Sequence, residues 1–466
     1  VLLLAAVLVG VIAGVGAVAF RDMIGGFHNL LFLGKLSFDY DANLHTTTSP
    51  WGLWVILVPV VGALGVAFLV KTFAPEAKGH GVPEVMDAIY YHEGKIRPMV
   101  AAVKSLASAL SIGSGGAVGR EGPIIQIGST FGSMLGQWIP MSARQRVILV
   151  AAGGGAGIAA TFDTPIGGIL FASELMLPLV NTSSLLCVGL ATVVATCIGR
   201  LAFGTFLSFN VPALVGASGE STPINELPWF VLLGAVLGVV AWLTCRGIYW
   251  FEDFFDRIPA SYYVRHMSGM LLVGLMLAGF MGFSSSWFEQ PNHYYVEGVG
   301  YAAIMDILRG GVNAVGFLLL LGAAKLLATC LTLGSGASGG VFSPCLFIGA
   351  ALGAAFGGLL NQCFPNLALN PQSFAIAGMA AMIGGTTGGI LTAIVMIFEM
   401  TRDYTVILPV ILTVVVACAV RHRLLRETIY TLKLVRRGHT VPRGLQAWFG
   451  REFEREPTPE TPSNHS

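Results

Sequence analysis

"KSLASALSIGSGGAVGREGPIIQIGSTFGSMLG" (Lys104–Gly136) and "KLLATCLTLGSGASGGVFSPCLFIGAALGAAFG" (Lys325–Gly357) are one segment written twice, 221 residues apart. Of the 33 aligned positions 13 are identical, with no gap. The same offset continues downstream, where "AGIAATFDTPIGGIL" (Ala156–Leu170) lies over "AGMAAMIGGTTGGIL" (Ala377–Leu391) with 8 of 15 identical. Even 60 glycines do not produce by chance one constant offset from 104–170 to 325–391. The chain therefore holds two related halves. In a membrane protein such halves enclose a ligand site between them, and identity alone leaves open whether they run parallel or inverted.

Composition says which solvent surrounds the halves. Of 466 residues 55% are hydrophobic and 11% charged, where a soluble domain is about a quarter charged. The windows Val1–Phe20, Gly52–Val70, Trp229–Leu243 and Val406–Val420 are long and nearly free of charge, and a span needs roughly 20 apolar residues. An all-α polytopic membrane protein is expected. The segments "VPEVMDAIYYH" (Val82–His92) and "PIGGILFASELM" (Pro165–Met176) are too short to cross upright. They are expected as half-spanning or broken helices ending inside the bilayer.

Net charge is +1, which gives no reason to expect nucleic acid as a partner. The densest basic run, Arg421, Arg423, Arg426, Lys433, Arg436 and Arg437, follows the last apolar segment. Positive flanks stay in the cytoplasm, so the C-terminus is expected inside. Residues 1–438 are expected to form the transmembrane domain and 439–466 a polar, disordered cytoplasmic tail. The chain begins with Val rather than Met, so a preceding piece is expected to have been lost. The seven cysteines are scattered, with no C-x-x-C pair, and read as small core residues. Nothing calls for a metal or a cofactor, and no paired catalytic constellation supports an enzyme.

The chemistry sits in glycine-rich loops. Each repeat centre places an apolar helix before a GSG loop and a proline shortly after, in "GREGP" (Gly119–Pro123) and "GVFSP" (Gly340–Pro344). Proline suits the first turn of a helix, and glycine lets backbone N–H groups face a cavity. A helix N-terminus carries about half a positive charge, so facing ends make an anion site without a fixed cation. Dipoles hold an anion weakly enough to release it. A third loop, "GHGVP" (Gly79–Pro83), has the same plan. "GSGASG" (Gly334–Gly339) also fits G-x-G-x-x-G, but it follows a long apolar helix and lacks the later acidic residue of a dinucleotide fold. Lys104 and Lys325 stand nine residues before each GSG. They either raise the potential of the pathway or are absorbed by snorkelling or by pairing with an acid.

With "GREGP", "GVFSP", "GHGVP", the late "EMTRDY" and Tyr430, the chain resembles the CLC family of chloride channels and chloride/proton exchangers, in its bacterial form, from Val1 to about Leu434. The resemblance implies inverted repeats, a homodimer in the lipid bilayer of a bacterial inner membrane, and one anion pathway per subunit. It implies anion contacts from the loops at Gly79, His80, Arg120, Gly122, Val341 and Phe342, and from the hydroxyl of Tyr430. Glu121 matches the gating glutamate. Its carboxylate is itself a small anion, able to occupy the outermost anion position until protonation releases it. The Arg120 side chain is expected to point outward and contribute field.

Two departures qualify what the resemblance implies. Chloride-selective members carry Ser in "GSGIP" where this chain has His80. Imidazole donates through an N–H as a hydroxyl does, but it is larger and changes charge near neutral pH. Exchangers commonly carry two adjacent glutamates after the "GGILF" stretch, the second taking protons from the cytoplasm. This chain has Glu174 and then Leu175. Leu175 cannot titrate, channel members are apolar there too, and some exchangers manage without the carboxylate through water wires. Glu121 and Glu174 remain the proton-pathway candidates. Proton-coupled chloride exchange is the favoured expectation, and a gated chloride channel the alternative.

Overall fold

The computed structural model describes residues 1–204, 209 and 222–441. From 442 onward the tail expected over 439–466 therefore lies outside the described residues. Among those described there are helices and no strands. They run α1 (Leu2–Leu33), α2 (Val58–Phe73), α3 (Val82–Tyr91), α4 (Met99–Gly113), α5 (Glu121–Trp138), α6 (Ala143–Phe162), α7 (Pro165–Phe171) and α8 (Thr182–Phe203). The second half follows with α9 (Leu227–Arg257), α10 (Tyr262–Phe288), α11 (Tyr301–Leu308), α12 (Val315–Ser335), α13 (Phe342–Cys363) and α14 (Pro371–Thr387). It closes with α15 (Ile390–Thr401), α16 (Ile407–Leu424) and α17 (Ile429–Arg436).

Burial separates centre from rim. In their most apolar stretches α6 and α13 bury 83% and 78% of residues, against 39% for α1, α8 and α10. The outer helices keep an apolar side for lipid, while the central ones meet protein all round. Central packing is close because glycines allow it. A methyl on Gly128 of α5 would stand 2.2 Å from the carbonyl oxygen of Gly153 in α6, and one on Gly349 of α13 would stand 2.2 Å from that of Gly378 in α14. Small residues at such crossings let backbones touch where no hydrophobic force drives helices together.

The two repeats meet at a contact between equivalent residues. Gly119 and Gly340, equivalent under the 221-residue offset, donate to each other's carbonyls at 2.7 and 2.6 Å in an isolated antiparallel bridge. Equivalent residues that exchange the same two bonds are related by a local twofold. The helices that follow, α5 and α13, begin on either side of that contact and are related by the same twofold. The halves are inverted.

The short helices expected from Val82–His92 and Pro165–Met176 are α3 and α7, the latter ending in a π turn over Ala172–Met176. That turn aims Glu174 across the twofold. Its Oε1 accepts from the N–H groups of Ile390 (2.8 Å) and Leu391 (3.2 Å), and its Oε2 from the N–H (2.9 Å) and hydroxyl (2.7 Å) of Thr392. Glu399, near the end of α15, returns the arrangement by accepting from Ile166 (3.1 Å) and Gly167 (2.6 Å) at the start of α7. Each helix is thus capped by a carboxylate carried on the other, where the N-terminal partial charge favours an anion. Replacing Glu174 by Ala strands buried N–H groups and is expected to cost about 3 kcal/mol. The melting temperature in detergent should fall further for Glu174→Ala than for Glu399→Ala, which loses fewer bonds at a less buried place.

Candidate functional site

The first turns of α5 and α13 face each other across the Gly119–Gly340 bridge. First-turn N–H groups have no partner within their own helix. Proline at the third position of each, Pro123 and Pro344, removes one of these donors. What remains is Glu121 and Gly122 on one side, and Phe342 and Ser343 on the other, with Val341 as the residue before the turn. The "GHGVP" loop closes the third side. The methyl that Gly122 lacks would lie 2.1 Å from the carbonyl oxygen of His80.

Glu121 is completely buried, and its side chain crosses to the facing helix. Its Oε2 accepts from the backbone N–H of Ser343 at 3.2 Å. Its Oε1 accepts from the Tyr301 hydroxyl at 2.7 Å and, in a very short contact, from the Ser343 hydroxyl. The carboxylate therefore sits on a helix N-terminus, where a free anion would be held. Neither Tyr301 nor Ser343 was expected. Ser343 stands inside the quoted "GVFSP", and Tyr301 opens α11 directly after "GVG" (Gly298–Gly300), a worn copy of "GHG" (Gly79–Gly81) before α3. That second echo is the sequence signal for it.

The other candidates fall into distinct places. Gly79 is spent on the scaffold: its N–H donates to Ala337 (2.9 Å), and its carbonyl accepts from Gly339 (3.2 Å) and from the Lys104 ammonium (2.7 Å). Both backbone polar groups of Gly79, expected at an anion contact, thus face the neighbouring loop and Lys104. Lys104 also reaches the carbonyl of Ala77 at 3.0 Å, and Lys325 reaches Val296 and Gly298 at 2.9 and 2.7 Å. Both lysines are fully buried. Each ties down the loop before a short helix, α3 in one half and α11 in the other. Both ammonium groups are held by backbone carbonyls rather than by an acid side chain.

His80 is buried, 5.8 Å by ring centroids from Tyr430, the second residue of α17. Its Nε2 is 3.2 Å from the Tyr249 hydroxyl, which itself lies 2.6 Å from the carbonyl of Ile429. A carbonyl only accepts, so the Tyr249 hydrogen goes to Ile429, and the histidine must be the donor to Tyr249. In a neutral ring Nδ1 is then the lone-pair nitrogen, and it has no protein partner. The expected hydroxyl-like N–H of His80 is turned to Tyr249 rather than left for an anion.

Arg120 turns its guanidinium away from the helix ends, 3.5 Å from the Thr161 carbonyl and 5.2 Å from the Tyr301 ring centre. There it joins Arg21, Arg200 and Arg309, with Asp41 and Asp163, around a cavity of about 380 Å³ that reaches down to Tyr301. Four cations against two carboxylates make this mouth attractive to anions. A second cavity, about 460 Å³, opens beside α3 and is lined by Glu84, Asp87, His92, Lys95, Arg97 and Gln126 among others. Leu175, next to the capped Glu174, packs against Gly389 at the head of α15.

Known proteins resemble this chain in sequence and fold. A family profile described as voltage gated chloride channel matches residues 62–422. The H(+)/Cl(-) exchange transporter ClcA of Citrobacter koseri is 33% identical over 442 residues, covering 93% of this chain and 88% of that protein. The transporter of the same name from Cronobacter sakazakii is 33% identical over 446 residues, covering 93% and 89%. Among solved structures, a slow cyanobacterial Cl-/H+ antiporter superposes with a TM-score of 0.77 at 28% identity over 94% of this chain and 97% of that one. A CLC-type fluoride/proton antiporter shares the fold at 22% identity, with a TM-score of 0.72 over 92% and 97%. Paired helix ends, the buried glutamate between them and these likenesses lead to one statement of kinship: the chain belongs to the voltage-gated chloride channel family, the CLC proteins.

Proposed function

We propose that the protein exchanges chloride for protons across the membrane, with Glu121 as the group both substrates use. The observation that carries this reading is the docking of Glu121 on the first turn of α13, through Ser343 N–H at 3.2 Å. A carboxylate bound where an anion binds competes with chloride while it is charged. Protonation removes that competition and makes it a proton carrier. One residue then links the two fluxes. Chloride passes between the first turns of α5, α13 and α17, held by the N–H groups of Gly122, Val341 and Phe342 and by the Tyr430 hydroxyl. Relatives named as H(+)/Cl(-) exchange transporters, at 33% identity over most of their length, support the same substrates.

His80 enters this scheme conditionally on its charge. A neutral ring offers Nδ1 as an acceptor, which repels chloride, and only a second proton makes it a donor. Proton supply to Glu121 is the part in which this chain differs most from the two-glutamate pattern. Glu174 is saturated by four hydrogen bonds as an end cap, and Leu175 carries no proton. Those two facts are what favours the alternative, a gated chloride channel. Under exchange, water reaching past Leu175 delivers the proton. With a homodimer in a bacterial inner membrane and the C-terminus in the cytoplasm, the arginine-lined cavity opens outside and the α3 cavity inside. The basic residues around α17 support that orientation.

Reconstitution in liposomes tests the reading. A chloride gradient imposed on the purified protein should drive protons uphill, recorded with a pH electrode beside a chloride electrode. Chloride flux with no proton movement would establish the channel instead.

A further inference from the structure

We propose that the hydroxyls of Tyr301 and Ser343 form a latch on Glu121, holding the carboxylate docked and setting how readily it takes a proton and leaves. The inference rests on Glu121 as the gate and adds two positioning residues to it. Three side-chain oxygens meet on buried residues: Glu121 and Ser343 are 0% exposed and Tyr301 2%. Tyr301 Oη lies 2.7 Å from Glu121 Oε1 and 2.9 Å from Ser343 Oγ, and Ser343 Oγ also contacts Oε1. Each hydroxyl owns one hydrogen. Facing an ionised carboxylate, both hydrogens go to Oε1 and both bonds are charge-assisted. Such bonds are about twice as strong as neutral ones. When Glu121 takes a proton this charge-assisted advantage is lost. The cluster thus favours the charged, docked side chain over the protonated, released one.

Neither hydroxyl is there by loose chance. Tyr301 is the first residue of α11, and the loop before it is pinned by the buried Lys325 through Val296 and Gly298. Its ring is wedged against Phe209, with centroids 5.3 Å apart, beneath Arg120. Ser343 grips both carboxylate oxygens, Oε2 with its N–H and Oε1 with its hydroxyl. Its counterpart in the first repeat is Gly122, and that of Tyr301, aligning "GVGY" on "GHGV", is Val82. The hydroxyls therefore occur only in the half that receives Glu121. Other ionisable groups acting on this cluster among the described residues are Arg120 in the same loop, Cys345 on α13 and Tyr430 on α17.

The test uses proteoliposomes of the full chain, with chloride efflux and proton movement recorded together from acidic to neutral pH. Tyr301→Phe and Ser343→Ala each remove a single oxygen. Each is expected to raise chloride efflux at neutral pH about tenfold and to move the pH of half-maximal efflux up by about one unit. Ser343→Thr, which keeps the hydroxyl, should restore the original profile. On a Glu121→Gln background the same changes should alter efflux less than about twofold, since no charged carboxylate remains to be held. Unchanged rate and pH profile in a folded Tyr301→Phe or Ser343→Ala protein would overturn the latch, as would an equal increase on the Gln background. Should one variant fail to fold, the other reads the same shift. If the unmodified protein carries chloride without protons, exchange is what fails, while the latch is still read from chloride efflux alone.

Discussion

Glu121→Gln is expected to carry chloride while moving no protons. The amide matches the carboxylate in shape and keeps an oxygen for the Tyr301 and Ser343 hydroxyls, so the loops should hold their form. It loses the charge that competes with chloride on α13, and it cannot accept and release a proton. Uphill proton movement should fall at least about tenfold, since the variant lacks the carboxylate docked on the anion path. Chloride flux should lose the part of its pH dependence that comes from protonation of Glu121 at the same time. A variant that still pumps protons at the original ratio would remove Glu121 from the mechanism. A variant that binds no chloride at all would mean that the exchange had disturbed the helix ends rather than the charge.

The second large effect is expected at Gly122. An alanine methyl there would stand 2.1 Å from the His80 carbonyl and 3.1 Å from the Cα of Gly340. Both obstacles are backbone, and both belong to loops stitched together at Gly79 and Gly119. Neither can rotate aside as a side chain would. Gly122→Ala should cost about 3 kcal/mol or more, the upper range for overpacking, and abolish chloride efflux even in the fraction that folds. Gly16→Ala is the matched control: its methyl finds nothing nearer than 3.8 Å, so melting temperature and efflux should stay as they were. Equal behaviour of the two variants would show that close loop packing is not what shapes the pathway.

How far the sequence could be read depended on whether a feature lay in one stretch of chain or between stretches. The repeat, the apolar spans and the three loops are local, and each is visible as a pattern of glycine, proline and hydrophobic residues. Glu121 stood out because a carboxylate in such surroundings is costly. The roles of Lys104 and Lys325 were not legible, since the carbonyls they bind lie 25–29 residues upstream and meet them only through folding. Glu174 reads as an isolated intramembrane acid until α15, more than 200 residues later, is laid against it. Tyr301 and Ser343 escaped notice for a related reason. A hydroxyl becomes informative only once its partner is known, and Glu121 is 180 and 222 residues away from them. Gly79 shows the converse: a residue that matches a motif can have its polar groups consumed by the scaffold.

The bond pair between Gly119 and Gly340 has a consequence for ancestry. A seam in which one residue meets its own counterpart is self-complementary, so it requires no difference between the two pieces that form it. Two copies of a half-length chain, inserted in the membrane in opposite orientations, would present the same glycine to each other and close the same pair of bonds. The acid in one half and the hydroxyls that hold it in the other are then additions to a seam that needed neither.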